Sequence, residues 1–133
     1  MKKIVLSGVL VLLSSTAFAD SFWNHNGSVM RLVDNNNERT FIYEKPSQKM
    51  RNTGVQKGTV LFDGHKNGDM YFGTSNVFSK NCFHDMTYKV SGHVYSGPKV
   101  VLTGKREQYD TSNNKCEPTG RIVTDKLVFT YMY

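Results

Sequence analysis

The feature that most limits the fold is a period-two alternation of apolar and polar residues, cut by turn-forming clusters about every ten residues. Residues 28–33 read as a strand, ended by Asp34-Asn35-Asn36-Asn37, side chains that tolerate turn and left-handed conformations. Residues 39–44 resume with Phe41 and Tyr43 on one face. Residues 59–63 lead through Gly64 to Lys66-Asn67-Gly68, and Asn-Gly between two β-prone runs is a strong hairpin signal. Residues 70–78 follow, with Gly73 as a candidate bulge or bend. Tyr88, Val90, Gly92 and Val94 then alternate with Lys89, Ser91, His93 and Tyr95, and Ser96-Gly97-Pro98 turns the chain into residues 99–105. The polar stretch 109–119 reads as a long loop, residues 121–124 as a short strand, and residues 127–133 as a final strand with three aromatics on one face. Residues 49–57 read as a second long loop. No window beyond the first nineteen residues carries a helical period over ten or more positions. Eight candidate strands at even spacing predict a single all-β domain, a small antiparallel meander barrel of about eight strands; the alternative is a β-sandwich.

The first nineteen residues follow a different logic. Lys2 and Lys3 precede an apolar run over residues 4–13, too short to cross a bilayer core of ~30 Å. Ser14, Ser15 and Thr16 come next, then Ala17-Phe18-Ala19, an A-x-A cleavage pattern. This is the layout of a bacterial secretory signal over residues 1–19, with residues 20–133 as the mature barrel, periplasmic or secreted and without a stable membrane anchor. Cleavage after Ala19 removes 19 residues and two lysines from a chain of 133 with 17 basic and 11 acidic side chains. That leaves 114 residues at a formal charge of +4. So mild a charge, in an exported chain, argues against nucleic acid as a partner. An oxidising compartment and two cysteines point to one disulfide, Cys82–Cys116; two free thiols or a metal site are the alternatives.

Chemistry is sparse. His25, His65, His84 and His93 stand in no metal-binding spacing, and no nucleophile elbow, phosphate loop or dinucleotide fingerprint is present. No metal and no cofactor are expected. His84-Asp85 beside Cys82 suggests a base with its acid, but a bridged cysteine is no nucleophile. The segment Phe22-Trp23-Asn24-His25-Asn26-Gly27-Ser28 holds the one tryptophan. Trp23 is either a ligand-facing lip residue or a plug at one end of the barrel, with residues 24–28 turning into the first strand. Lys45, Lys49, Arg51 and Lys57 form one basic cluster, and Lys105 and Arg106 a second.

Ser91-Gly92-His93-Val94-Tyr95, followed by Thr103-Gly104-Lys105, resembles the S-G-x-x-Y segment and the later T-K-G-like turn of the periplasmic C-type lysozyme inhibitors. That resemblance implies an eight-stranded, disulfide-tied exported barrel. It also implies that Ser91 and Lys105 reach the catalytic carboxylates of lysozyme, with Tyr95 supporting the loop. The whole-chain pattern is that of a small exported bacterial β-barrel protein. The expected function is therefore non-enzymatic binding through Ser91, Tyr95, Lys105 and Trp23, with a secreted protein such as lysozyme as partner. The alternatives are a calycin-like barrel holding a small envelope-derived ligand, and a small periplasmic hydrolase using His84 or His93. Internal volume separates the first two: a barrel filled by Phe, Tyr and Met leaves no room for a ligand, whereas a cavity opening near Trp23 favours the carrier.

Overall fold

The computed structural model describes residues 19–83 and 86–133, together with Gly8. The rest of the leader-like segment, and His84-Asp85, lie outside the described residues. Eight strands are formed: β1 (Ala19–His25), β2 (Ser28–Asn35), β3 (Glu38–Lys45), β4 (Val60–Asn67), β5 (Met70–Val77), β6 (Met86–Tyr95), β7 (Lys99–Asp110) and β8 (Glu117–Tyr131). Each pairs antiparallel with the next and β8 returns to β1, so the sheet is a closed meander barrel and the sandwich is excluded. The expected disulfide is present, Cys82–Cys116, with Cα atoms 5.3 Å apart.

The count of eight holds, but the strands differ from those read in the sequence. The segment before Gly27 is itself strand β1, and Asn26 and Gly27, at φ 48° and 83°, form a two-residue hairpin turn. Residues 121–124 and 127–131 are not two strands but parts of the single β8, and Met132 and Tyr133 lie beyond its end. Both ends of the expected loop over 109–119 are strand as well, and residues 111–116 connect β7 to β8. The turn after β2 narrows to Asn36-Asn37, and that after β4 falls on Gly68-Asp69. In the loop over 49–57 a one-turn helix, α1 (Gln48–Arg51), is capped by Ser47.

Two ends follow from this order. The start of β1, the end of β8 and the turns at 36–37, 68–69 and 96–98 gather at one end. The Asn26-Gly27 turn and the loops 46–59, 78–83 and 111–116 gather at the other, called the mouth. Alternation sends Met30 and Leu32 of β2 and Arg39, Phe41 and Tyr43 of β3 inward, all buried. Trp23, Phe62, Tyr71, Val90, Val100, Leu102 and Phe129 complete the filling. Phe41 stacks on Phe129 at 3.8 Å, and Trp23 meets Phe41 edge-on at 6.0 Å. Of the aromatics expected on one face of the last strand, only Phe129 is core; Tyr131 and Tyr133 are exposed. Arg39 closes the far end, donating to the carbonyls of Asn36 and Glu38 and pairing with Asp34 at 2.9 Å, its guanidinium over the Tyr71 ring.

Gly73 is not a bulge. The β4–β5 ladder runs without a register shift, and Gly73 stands opposite Gly64. A Cβ at Gly73 would lie 2.3 Å from the Asp63 carbonyl oxygen and 2.8 Å from the Phe62 ring; one at Gly64 would lie 2.1 Å from the Phe72 oxygen. The pair of glycines makes the space that the Phe62 ring occupies. Gly73→Ala is therefore expected to destabilise the barrel by about 1–3 kcal/mol through overpacking, read as a lower denaturant midpoint; an unchanged midpoint contradicts this packing.

Candidate ligand site at the barrel mouth

Towards the mouth the inward positions change character. Where the far end presents Phe, Trp and Met, the mouth presents His25 at the end of β1, Ser28 at the start of β2, Tyr43 on β3, Ser75 on β5 and Tyr88 on β6. These side chains are smaller or carry a polar end, so they do not fill the bore. A chamber of about 190 Å³ remains, lined by His25, Tyr43, Leu61, Phe78, Tyr88 and Leu127, with Asn76 and Asp125 among the polar contributors. Its roof is built locally. The Ser47 N–H donates to the buried Ser28 Oγ at 2.9 Å, Ser47 Oγ accepts from Met50 N–H at 3.3 Å, and Met50 is thereby held over the opening. Phe78 covers the rest, edge-on to Tyr43 at 6.0 Å.

Most polar groups here are already engaged. Tyr88 Oη donates to Asp125 Oδ2 at 3.1 Å, and the same oxygen accepts from Arg106 Nε. Ser75 Oγ donates to the Leu61 carbonyl at 3.3 Å, and Asn76 Nδ2 to the Val60 carbonyl at 2.9 Å. Two atoms on buried side chains are not engaged. His25, 5% exposed, uses Nδ1 on the Val128 carbonyl at 2.9 Å and stacks on Phe129 at 4.6 Å. Because a carbonyl only accepts, Nδ1 carries the proton, and Nε2 of the neutral ring is a bare acceptor without a partner among the described residues. Tyr43, 1% exposed, likewise has no hydrogen-bond partner for its hydroxyl. Burial lowers the His25 pKa, opposed by the Val128 carbonyl, so the ring is neutral at pH 7. Burial pushes Tyr43 up to about 12; burial, then the Asp125 charge, push Tyr88 up to about 12 as well. Both phenols therefore remain donors.

The residues singled out in the sequence are not brought together at this chamber. Trp23 is no lip residue: it is 6% exposed, its Nε1 donates to Ser21 Oγ at 2.8 Å, and it packs in the filled part of the bore, away from the mouth. The cavity accordingly does not open near Trp23. Ser91 lies within the β6 ladder, opposite Phe72 and Thr103. Lys105 is on the exposed face of β7, and Tyr95, 51% exposed, is at the far end of β6. His93 is exposed on that wall beside Tyr95. Of the two basic clusters, Lys57 pairs with Glu44 and Arg106 turns to Asp125. Among the described residues no group of three or more His, Cys, Asp or Glu is arranged to hold a metal. None of their helices is long and apolar enough to cross a membrane.

The buried imidazole makes stability depend on pH. With a folded pKa below the ordinary 6.5, the unfolded chain binds more protons in acid, so stability is full above about 6.5 and is lost as pH falls towards the lowered folded value. The urea midpoint is expected to drop over that interval in the native protein and to drop less in His25→Gln. Identical slopes in the two proteins contradict the placement of His25.

No family model matches the sequence, and no curated protein matches it either. Among solved structures, the rhizavidin–biotin complex is similar, with a TM-score of 0.56 and 19% identity over 90% of this chain and 98% of that one. At that identity the likeness is one of fold: this chain is a small closed antiparallel barrel like that of rhizavidin.

Proposed function

We propose that the protein is a non-enzymatic binding barrel whose mouth chamber holds a small, uncharged, hydrogen-bonding group. One observation carries the reading: His25 Nε2 and Tyr43 Oη, both on buried side chains and both without a protein partner, line the same chamber. Neither atom is sealed off, since Arg31 Nε is the one side-chain polar atom both buried and unpartnered among the described residues, so both can be reached from the chamber. A ligand offering a donor to the imidazole nitrogen and an acceptor to the phenol gains about 0.5–1.5 kcal/mol from each hydrogen bond. The enclosed group is neutral because Asp125 is paired to Arg106 and His25 is uncharged, while Lys49 of the lining, unpaired among the described residues, is exposed at the rim. It is compact because about 190 Å³ falls below the ~300–1,000 Å³ of sites that enclose drug-sized ligands. Leu61, Leu127, Phe78 and Met50 supply the apolar walls. That rhizavidin is in complex with biotin makes biotin a reasonable first probe.

The other readings draw less support. Inhibition of lysozyme requires Ser91 and Lys105 to be presented together, yet Ser91 is held in a ladder on the barrel wall and Tyr95 stands at the opposite end from the mouth. A hydrolase built on His93 lacks an acid beside it among the described residues. We read residues 1–19 as an export signal and residues 20–133 as the exported barrel. The disulfide suits that compartment, and the β1–β2 ladder keeps six of its seven pairs when the chain starts at Asp20.

Native mass spectrometry of the purified protein, after incubation with biotin and with a small-molecule extract, is expected to show a retained small-molecule adduct. Tyr43→Phe should weaken retention by about 1 kcal/mol, roughly fivefold, at unchanged fold. No adduct in either incubation, or equal retention by Tyr43→Phe, contradicts the reading.

A further inference from the structure

The barrel wall has an opening of its own. The β6–β7 ladder stops at Ser91↔Thr103, although β6 continues to pair with β5 as far as Met86 and β7 with β8 as far as Asp110. Over residues 86–90 of β6 and 104–110 of β7, no ladder pair joins the two strands among the described residues. Gly104 still lies against the Lys89 carbonyl, and a cleft runs between the strands beyond that contact. At the other end of the split the strands' extensions are rejoined by the Cys82–Cys116 disulfide, Cα to Cα 5.3 Å, and by Asn81 Nδ2 donating to the Thr111 carbonyl at 2.8 Å. The result is a lateral window, bounded below by the contact of Gly104 with Lys89 and the Tyr88–Asp125–Arg106 bridge, and above by a covalent tie.

The window leads to the chamber. Its cleft, about 380 Å³, is lined by Met86, Thr87, Tyr88, Lys105, Arg106 and Tyr109 among others, and Tyr88 and Val77 line chamber and cleft alike. Charge at the window is lopsided. Arg106 is matched by Asp125, and Glu107 Oε1 accepts from the Gly120 N–H, which leaves Lys105 with no ion-pair or hydrogen-bond partner among the described residues. Lys80 lines the adjoining hollow of about 480 Å³, which shares Met86, Arg106 and Tyr109 with the cleft. An inserted peptide strand does not fit, because both ends of the opening are drawn to contact distance. A slender small molecule does.

We propose that this window is the port of the chamber and that it selects amphipathic small molecules with an anionic end, the compact neutral part entering the chamber and the anion resting at Lys105. The inference builds on the ligand reading above and adds the route and the charge of the ligand.

A matched pair of fluorescent probes tests it: dansylglycine, which carries a carboxylate, and dansylamide, which does not. Dansylglycine is expected to bind about tenfold more tightly, the worth of one charge-assisted contact. Lys105→Glu should abolish that preference, and Lys105→Gln should reduce it, while dansylamide affinity stays the same in both. Opening the tie by Cys82→Ser with Cys116→Ser, or by mild reduction of the native protein, should raise association and dissociation rates together. Equal affinity for the two probes, or a preference that survives Lys105→Glu, overturns the port while leaving the chamber in place. Binding of neither probe, or binding that Tyr43→Phe leaves untouched, removes the chamber reading and the port with it.

Discussion

The barrel is closed more by aromatic packing than by hydrogen bonds. Between β1 and β8 only Trp23↔Tyr131 and Asn24↔Thr130 are paired, supplemented by backbone bonds between Phe22 and residues 132–133. What holds β8 against β1 is Phe129, with Phe41 stacked on it at 3.8 Å and His25 at 4.6 Å. Such ring pairs each add about 0.5–1.5 kcal/mol beyond the area they bury. The same stack divides the bore. On one side the space is filled by Trp23, Met30, Phe62 and Tyr71; on the other, His25 begins a region of small and polar side chains in which the chamber is left. Closure and cavity are therefore set by one residue on β8 and its two neighbours.

The long β7–β8 hairpin follows from a different balance. Beyond Gly104 and Asp125 both strands leave the barrel wall, and residues 117–122 of β8 are exposed. Little apolar burial holds this part in position, so its placement over the mouth depends on three ties: the disulfide at its tip, Asn81 to Thr111, and Arg106 with Tyr88 on Asp125. In the chain-entropy picture, a crosslink over a separation of 34 residues contributes about 3–4 kcal/mol. The bond thus stabilises the fold and fixes one edge of the window at once.

Where the sequence was legible, burial and periodicity agreed. Met30 and Leu32, Phe41 and Tyr43, and the Asn-Gly and Gly-Pro punctuation expose β2 to β6, because each strand has one apolar face turned to the core. β1 was hidden because its inward residues are Ser21, Trp23 and His25, two of them polar, so no apolar alternation shows. The later part of β8 reads as two strands divided at Asp125-Lys126, and its start reads as loop because Pro118 and Gly120 look like breakers and its projecting part has no buried face. There the β7 ladder specifies the strand, and a ladder leaves no hydrophobic signature. The site was obscured for a related reason. His25, Tyr43 and Tyr88 occupy inward positions that a pattern reader assigns to core, and only their polar tips mark them as something else. Ser91, Lys105 and Trp23 drew notice through motif and rarity, neither of which reports the direction of a side chain.

The central claim is that a neutral imidazole, fixed through Nδ1–H on the Val128 carbonyl, presents a bare Nε2 to a cavity at the barrel mouth. A long-range ¹H–¹⁵N NMR spectrum of the histidine rings at pH 7 reads this directly. The account predicts a neutral His25 with the proton on Nδ1 and an Nε2 shift characteristic of an unprotonated nitrogen. A proton on Nε2, or a doubly protonated ring, would contradict it.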